Sequence, residues 1–415
     1  MKKIKRKISE LGKIVGGGTP DSKNEEFWGN EIPWITPKDL VNHNSIFISS
    51  GQRSITQLGL INSSAKLLPK NSILFSTRAP IGYVAISKNE LSTNQGFRSI
   101  IPSENIDYLF LFYLLKNNIK VISSHGVGTT FKEISGSVLG NIELLLPTSK
   151  KEQIKISNIL SKIDKKIEIN NKINDNLEKQ MSFIYKYWFF QFDFPNKNKK
   201  PYKSSGSNMV KNEVLRTYLP ENFEIIPLSK IASFLSGYSF SKSDYVKEGR
   251  YKLITIKNVQ ENGINLNVDN YINNTPKGMQ DYCNLKPYDI LLSLTGNVGR
   301  SGIIYSKGCL LNQRVALVKP SDPNLNSYIY CMLKSEWIRN KLQNISNGSS
   351  QSNLSTTEAE ELLIPFNNEI AIKFANLTKP IIKNIVKNLS ENQILTKLRD
   401  FLTILLINGQ AEIDY

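Results

Sequence analysis

Polar loops that recur in both halves of the chain hold the residues best suited to binding chemistry. Glycine lets backbone approach a phosphate, serine, threonine and lysine contact phosphate oxygens, and arginine, asparagine and glutamine can pair with base edges. The candidates in the first half are Thr36, Lys38, Ser76, Thr77, Arg78, Gln95, Arg98, Gly128, Thr129, Thr130 and Lys132. Those in the second half are Thr255, Lys257, Asn258, Thr295, Asn297, Arg300, Gln313, Arg314, Ser349, Ser350 and Gln351. Because turns favour glycine, serine and asparagine in any case, composition alone does not assign these loops to binding.

Two amide pairs among these loops allow two interpretations. Asn94-Gln95 and Asn312-Gln313 could contact bases directly, or could pin their loops to neighbouring backbone. Their recurrence in halves that should bind different targets favours a scaffold role. Positions that differ between the halves, such as Arg78 against Thr295, are better candidates for specificity.

The loops lie in a sequence that is repeated once. Asn94-Gln95 recurs as Asn312-Gln313 and Pro147 recurs as Pro365, each displaced by 218 residues (312 − 94 and 365 − 147). Solenoid repeats are about 20 to 50 residues long, so this period indicates two copies of a whole domain. A chain of 415 residues also exceeds the roughly 250 to 300 residues that one hydrophobic core supports.

Each copy has a globular part followed by a long helix. Short β-like runs alternate with turn residues in the globular part, which predicts an α+β fold made of two mixed α/β domains. The stretch between the copies is polar, basic and poor in large apolar residues, so we expect a flexible linker there. The predicted division is 1–148 (first domain), 149–194 (first helix), 195–222 (linker), 223–366 (second domain), 367–410 (second helix) and 411–415 (tail).

The two helices carry the seam of a coiled coil. Ser149 and Glu152 fit a capping box at the start of the first helix, and Asn408-Gly409 is a typical end for the second. The first seam, spaced alternately by four and three residues, is Ile156, Leu160, Ile163, Ile167, Asn170, Asn174, Leu177, Met181, Ile184 and Trp188. The second is Phe374, Thr378, Ile381, Ile385, Asn388, Asn392, Leu395, Arg399, Leu402 and Leu406.

Polar residues in the middle of both seams predict how the helices pair. A buried asparagine is well paired only against another polar group, so Asn170, Asn174, Asn388 and Asn392 should fix the register of an antiparallel coiled coil. The alternative is two amphipathic helices, each lying on its own domain. Pro380 removes a backbone hydrogen bond, so the second helix is expected to be bent near its start.

Composition limits the class of protein. Lys and Arg number 53 against 36 Asp and Glu, a net charge of +17, and this balance attracts polyanions such as nucleic acid. No apolar run approaches the roughly 18 residues of a membrane span, so we expect a cytoplasmic protein that does not bind membranes. The three cysteines lack CxxC spacing and are expected to be reduced and buried.

Catalytic motifs are not recognisable in the sequence. A phosphate-binding GxxxxGK and a dinucleotide-binding GxGxxG are both missing. His43 and His125 are the only histidines, and neither lies in a nucleophile motif or a metal-binding cluster. We therefore expect a binding protein that is not catalytic and holds neither a metal nor a cofactor.

In the order of its doubled motifs the chain resembles the specificity subunits of type I restriction-modification systems. The family's central conserved helix and its tail are resembled by Glu152 through Leu160, Ile167 through Asn174, Leu177 and Trp188-Phe189. Its distal conserved helix and its end are resembled by Glu391 through Leu395, Leu398 through Asp400 and Asn408-Gly409. Ile73 through Ser76 with Asn94-Gln95, and their second copies, are similar to the family's target recognition domains.

This resemblance implies that each domain recognises one half of a split site in double-stranded DNA. It also implies docking of two methyltransferase subunits and of restriction subunits, with S-adenosylmethionine, ATP and Mg²⁺ bound by those partners. A different class, a coiled-coil scaffold with two RNA- or protein-binding domains, is the alternative. RNA readers present aromatic platforms to unstacked bases, whereas Phe110, Phe112, Tyr113, Tyr328 and Tyr330 have the helical spacing of core residues.

Overall fold

The computed structural model of the protein describes residues 2–41, 43, 45–78, 80–128, 132–346 and 353–413. The chain divides into two compact units, residues 1–169 with 392–415 (unit 1) and residues 170–391 (unit 2). Each unit contains one copy of the repeated domain and a part of each long helix. The unit boundaries therefore fall within the helices, and not at the domain–helix junctions predicted at 148/149 and 366/367.

Unit 1 is built on a five-stranded sheet with the order β2-β9-β6-β7-β4 and a three-stranded sheet with the order β5-β3-β8, and β1 pairs with β10. The strands are β1 Lys3–Lys7, β2 Gly12–Gly16, β3 Trp28–Ile35, β4 Phe47–Ile48, β5 Arg53–Ile55, β6 Ile73–Thr77, β7 Ile81–Ser87, β8 Ser92–Thr93, β9 Arg98–Pro102 and β10 Glu143–Pro147. The helices are α1 Ile8–Leu11, α2 Gln57–Ile61, α3 Tyr108–Asn117, α4 Ile119–Ser124, α5 Gly136–Asn141 and α6 Lys150–Phe189, which continues into unit 2.

Unit 2 has a four-stranded sheet with the order β14-β23-β20-β21 and another with the order β18-β15-β22-β19. The strands are β11 Met209–Asn212, β12 Thr217–Pro220, β13 Glu224–Pro227, β14 Ala232–Ser236, β15 Tyr251–Ile254, β16 Val259–Gln260, β17 Gly263–Ile264, β18 Tyr271–Ile272, β19 Asn284–Leu285, β20 Ile290–Ser293, β21 Ser301–Ile303, β22 Cys309–Leu311, β23 Val315–Pro320 and β24 Leu363–Phe366. The helices are α7 Asn326–Lys334, α8 Glu336–Ser346, α9 Thr356–Glu360 and α10 Asn368–Asn408, which ends in unit 1.

The repeat in the sequence is a repeat in topology. The order β2-β9-β6-β7 in unit 1 matches β14-β23-β20-β21 in unit 2. β3 pairs in parallel with β8, as β15 does with β22, and the antiparallel pair β1–β10 matches β13–β24. The predicted mixed α/β copies are therefore confirmed, and equivalent residues can be compared directly.

Helix α3 illustrates how the core of unit 1 forms. Asp107 caps it, because its Oδ1 accepts a 2.8 Å hydrogen bond from the amide of Phe110. All apolar side chains from Phe110 to Leu115 are buried, so the helix lies inside the unit. The aromatic residues predicted to be core are confirmed as such, since Phe110, Phe112 and Tyr113 are at most 2% exposed.

The coiled-coil seams are also confirmed, because every predicted seam residue on α6 and α10 is buried or half-buried. In unit 1 Asp164 on α6 accepts a 2.5 Å bond from Arg399 on α10. In unit 2 Trp188 packs on Phe374, and Asn174 pairs with Asn388. The later residue of α6 thus meets the earlier residue of α10, which shows that the paired segments are antiparallel. Arg399, a departure from the apolar pattern, thus has a carboxylate partner. Pro380 lies on an exposed face, and α10 continues through it without interruption.

The seam asparagines meet polar groups as predicted. Asn388 Nδ2 donates to Asn174 Oδ1 at 2.8 Å, and Asn170 Nδ2 donates to Glu391 Oε2 at the same distance. The side chain of Asn392, which belongs to unit 1, is buried. A shift of either helix by one turn would break the Asn174–Asn388 pair, so this pair contributes to register.

The stretch 195–222 is folded, which corrects its interpretation as a flexible linker. It contains an antiparallel hairpin, in which β11 pairs with β12. Phe194 stacks on Tyr202 with ring centroids 4.7 Å apart, and Leu219 is buried in the main core of unit 2. The few apolar residues of this segment are placed where they can pack, which its average composition conceals.

Two further expectations concern cysteine and membranes. Cys283, Cys309 and Cys331 are free and buried, as predicted, and burial raises the pKa of the Cys309 thiol to about 11. Within the described part of the chain, no helix is long and apolar enough to cross a membrane.

Candidate nucleic-acid interface

A short capped turn follows an equivalent strand in each unit. In unit 1 the amide and hydroxyl of Thr36 both donate to Asp39 Oδ2, at 2.7 and 2.6 Å, at the start of a 3-10 helix. In unit 2 the amide and hydroxyl of Thr255 both donate to Asn258 Oδ1, each at 3.0 Å. Thr36 with Asp39, and Thr255 with Asn258, thus hold the two turns. The lysines between them, Lys38 and Lys257, are exposed.

A serine at the end of the central strand closes a second loop in both units. Ser76 Oγ donates to the carbonyl of Pro80 at 2.8 Å and accepts from the amide of Tyr83 at the same distance. In unit 2 Ser293 Oγ donates to the carbonyl of Asn297, and accepts from the amide of Arg300 at 3.1 Å. The buried hydroxyls thus bond to the backbone of their loops and hold the loop conformation, so that other loop side chains can face outward.

Burial separates scaffold residues from contact candidates in the predicted set. Ser76 and Thr77 are fully buried and Asn258 is 5% exposed, so they hold the loops and do not present side chains to a ligand. This corrects their prediction as direct contacts. The candidates that remain exposed are Lys38, Gln95, Gly128, Lys132, Lys257, Asn297, Gln313 and Arg314.

The amide pairs divide between the two roles that their sequence allowed. Asn94 Oδ1 accepts from the amide of Gly96 at 3.0 Å, which makes it part of the loop scaffold. The amides of Asn94 and Asn312 donate to the carbonyls of Ile35 and Ile254, so the frame is the same in both units. The following residues, Gln95 and Gln313, are exposed.

Arginines at the loops are oriented differently in the two units. Arg78, about one third exposed, has Nη1 4.0 Å from Glu133 Oε2 in unit 1. In unit 2 Arg300 Nε lies 3.3 Å from Glu261 Oε2, close enough for an ion pair although not aligned as a hydrogen bond. Arg339 binds the same carboxylate through both terminal nitrogens, which makes a bidentate pair.

The shared carboxylate responds to its two arginine neighbours. Hydrogen bonding from Arg339, with the positive charge of Arg300, holds the pKa of Glu261 below its usual value. Glu261 therefore stays ionised and keeps both guanidinium groups near the loop. Sequence reasoning missed Glu261 and Arg339, since they lie 39 positions before and after Arg300 (300 − 261 and 339 − 300), with no local pattern to connect them.

The remaining predicted residues have individual environments. Arg98 Nη1 donates to the carbonyls of Gln95 and Phe97, at 3.2 and 3.0 Å. Thr295 is half-buried, and its Oγ1 has no hydrogen-bond partner in the part of the chain that the structure describes. Thr129, Thr130, Ser349, Ser350 and Gln351 lie outside the described residues.

The geometry defines a class of protein: two copies of one α/β domain, each presenting outward-facing cationic and amide side chains on an internally bonded loop frame. A family described as type I restriction modification DNA specificity domain matches residues 2–179 and 220–394, so that each match covers one copy. The chain belongs to this family of specificity subunits, whose function is DNA sequence recognition in restriction-modification.

Individual relatives agree with this assignment. The Type I restriction enzyme MjaIX specificity subunit of Methanocaldococcus jannaschii is 34% identical over 424 residues, covering 99% of this chain and 93% of that protein. The EcoR124I/EcoR124II specificity subunit of Escherichia coli is 30% identical over 199 residues, covering 45% of this chain and 48% of the relative. The crystal structure of the S subunit from M. genitalium has the same fold, with a TM-score of 0.61 at 18% identity over 100% of this chain and 97% of that one.

Proposed function

We propose that each unit reads one half of a split site in double-stranded DNA, and that the chain directs methyltransferase and restriction subunits to that site. The observation that carries this proposal is a common loop frame with different outward-facing side chains. The capped turns at Thr36 and Thr255 and the loops closed by Ser76 and Ser293 have equivalent internal hydrogen bonds. Two such frames with different contact residues suit two half-sites of different sequence.

The charge of the exposed residues supports a duplex as the ligand. Lys38, Lys132, Lys257 and Arg314 are exposed cations on these loops, in a chain with a net charge of +17. Lysine positions a protein on phosphates, whereas arginine can distinguish guanine through its O6 and N7 atoms. We assign the lysines to positioning, and Arg78 and Arg300 to recognition.

Chemistry on the DNA is assigned to the partners, with two methyltransferase subunits that use S-adenosylmethionine and restriction subunits that use ATP and Mg²⁺. Both histidines of this chain hold backbone: His43 Nε2 lies 2.9 Å from the carbonyl of Phe47, and His125 Nδ1 lies 2.9 Å from that of Val121. The match to a family described as a DNA specificity domain supports the assignment of catalysis to the partners.

Methylation-aware sequencing of the host genome, with and without this gene, tests the proposal. We expect one methylated motif with two specified halves and an unspecified gap to disappear when the gene is deleted. A gel-shift competition with the assembled complex should show duplex DNA carrying that motif outcompeting RNA of the same sequence. An unchanged methylation pattern, together with preferential RNA binding, would instead favour an RNA-binding scaffold.

A further inference from the structure

An open basic groove lies in unit 1 beside the edge strand β2. It has a volume of about 500 Å³ and is bordered by β2, the start of β9 and α5. Lys13 and Arg98 supply its positive charge, Ser137 supplies a hydroxyl, and Gly16, Gly136 and Gly140 leave its walls without side chains. None of these residues except Arg98 belongs to the loops already described, although Arg98 connects the groove to them through its bond to the carbonyl of Gln95.

The glycines keep the guanidinium of Arg98 accessible. A Cβ atom on Gly16 would lie 3.5 Å from Arg98 Nη1, and one on Gly136 would lie 3.6 Å from Arg98 Nε. Longer side chains at either position would therefore cover the cation. Arginine has five N–H donors, and the two carbonyl bonds of Arg98 use only Nη1.

A backbone donor of β2 also points toward the groove. In an antiparallel pair, alternate amides face the partner strand and the rest face away. The bonds from Gly17 N to Phe97 O and from Ser103 N to Leu11 O fix this alternation for β2 and β9. The amide of Ile14 consequently faces away from β9, at the edge of the sheet that borders the groove.

Unit 2 shows what binds at the equivalent amide. The pairings Gly16–Arg98 and Ser236–Ala316 align β2 with β14, so Ile14 corresponds to Phe234. There the amide of Phe234 donates to Glu360 Oε1 at 2.7 Å. In unit 2 the chain thus supplies an anionic oxygen of its own to this position.

In unit 1 the residue that corresponds to Glu360 has no carboxylate, and two neighbouring residues carry positive charge instead. Ser135 and Ser355 cap α5 and α9 equivalently, so Gly140 corresponds to Glu360 at the same offset of 220 residues (355 − 135 and 360 − 140). The same strand pairing places Lys13 and Arg98 of unit 1 where unit 2 has Ser233 and Ala316. The described residues that line the groove of unit 1 therefore form an anion-binding arrangement without an internal carboxylate.

We propose that this groove binds a phosphodiester group of the duplex next to the half-site read by unit 1, an inference that rests on the proposed function. A phosphate has the tetrahedral oxygens to accept from the Ile14 amide, Lys13 and Arg98 together, and glycine allows its close approach. The contact adds affinity without sequence information. Unit 2 lacks it, because Glu360 fills the equivalent position and repels phosphate.

Lys13→Gln tests the groove with little effect on the loops, since the Lys13 side chain is exposed. Binding of the full chain with its methyltransferase partner to motif and random duplexes is measured between 50 and 200 mM salt. One lost phosphate contact should make the slope of log affinity against log salt shallower by about 0.9 on both duplexes. Lys88→Gln is the matched control and should leave the slope unchanged. Lys88 is an exposed lysine that follows β7, near the edge of the sheet opposite β2.

A second variant imitates unit 2. Gly140→Glu should place a carboxylate at the Ile14 amide and weaken binding to both duplexes, whereas Gly140→Gln should weaken it less. Amide hydrogen exchange over 108–117 checks that unit 1 stays folded, since a Cβ on Gly140 would lie 3.2 Å from Ile14 Cδ1. Equal slopes for Lys13→Gln, Lys88→Gln and the unaltered chain would overturn the groove assignment.

The source of the phosphate is tested separately. If inorganic phosphate shows ³¹P line broadening with the unaltered chain that Lys13→Gln abolishes, while the DNA slopes are equal, the groove holds a free anion and the duplex assignment is wrong. If the unaltered complex does not distinguish motif from random DNA, the proposed function fails whatever the slopes are. If the complex distinguishes motif from random DNA, but Lys13→Gln leaves the slope of log affinity against log salt unchanged, only the proposal for the groove is wrong.

Discussion

The two units use one frame and surround it with different charges. In unit 1 Arg78 Nη1 lies 4.0 Å from the carboxylate of Glu133, and the groove at Lys13 is open. In unit 2 Glu261 holds Arg300 together with Arg339, and Glu360 fills the corresponding groove. Duplication has thus preserved the hydrogen bonds that build the loops, whereas the ionic contacts around the loops differ. Such a division is expected when a scaffold is reused for a second target.

The same contrast appears where each domain meets helix α6. In unit 1 Asp164 accepts from both Tyr113 and Arg399, and the two ionic side chains are only 11% and 15% exposed. In unit 2 Glu178 accepts from Tyr330 and Lys334, with the ionic groups 30% and 22% exposed. Removing one member of a largely buried ion pair costs more than removing one member of a more exposed pair. The cost in unit 1 is at the lower end of the range for buried pairs, because Arg399 keeps Asp400 as a second partner at 2.7 Å.

Asp164→Asn should therefore produce the largest loss of stability. We expect the free energy of opening in unit 1 to fall by about 3 kcal/mol, and Glu178→Gln to lower that of unit 2 by about 1 kcal/mol. Amide hydrogen exchange of 108–117 and 326–334 reports each unit separately. Asp175→Asn, an exposed acid on the same helix, serves as the control. Equal losses for the two test variants would remove this distinction between the units.

Glu261→Gln should have a smaller effect, on discrimination between DNA sequences. Without its carboxylate, Arg300 and Arg339 are free to separate, and a recognition arginine with poor geometry loses part of the roughly 1 to 3 kcal/mol that a good base contact provides. Glu133→Gln should change discrimination less, because its ion pair with Arg78 is long and half-exposed.

Competition between the methylated motif and single-base variants of each half measures both effects. Glu213→Gln removes an exposed acid in unit 2 that pairs with Lys211, and provides the control for the change in charge. Equal losses of sequence discrimination in the Glu133 and Glu261 variants would mean that the contacts of Glu261 with Arg300 and Arg339 do not position Arg300.

Much of the fold is predictable because it depends on local pattern. The seam spacing on α6 and α10, the mid-seam asparagines and the doubled domain all follow from periodicity and repetition. The hairpin β11–β12 could not be predicted in this way, since the average polarity of its segment concealed the packing of Phe194 and Leu219. The candidate site was predictable in its loops but not in its roles, because burial decides whether a serine builds a loop or faces outward.

Exchange of residues 1–148 for the corresponding residues of another specificity subunit tests most directly whether the units read separate half-sites. Methylation-aware sequencing of a host carrying the chimera, assembled with its partners, gives the motif that is recognised. We predict that one half of the motif changes to the donor's sequence while the other half stays the same. A folded and active chimera that changes both halves, or neither, would contradict the assignment of one half-site to each unit.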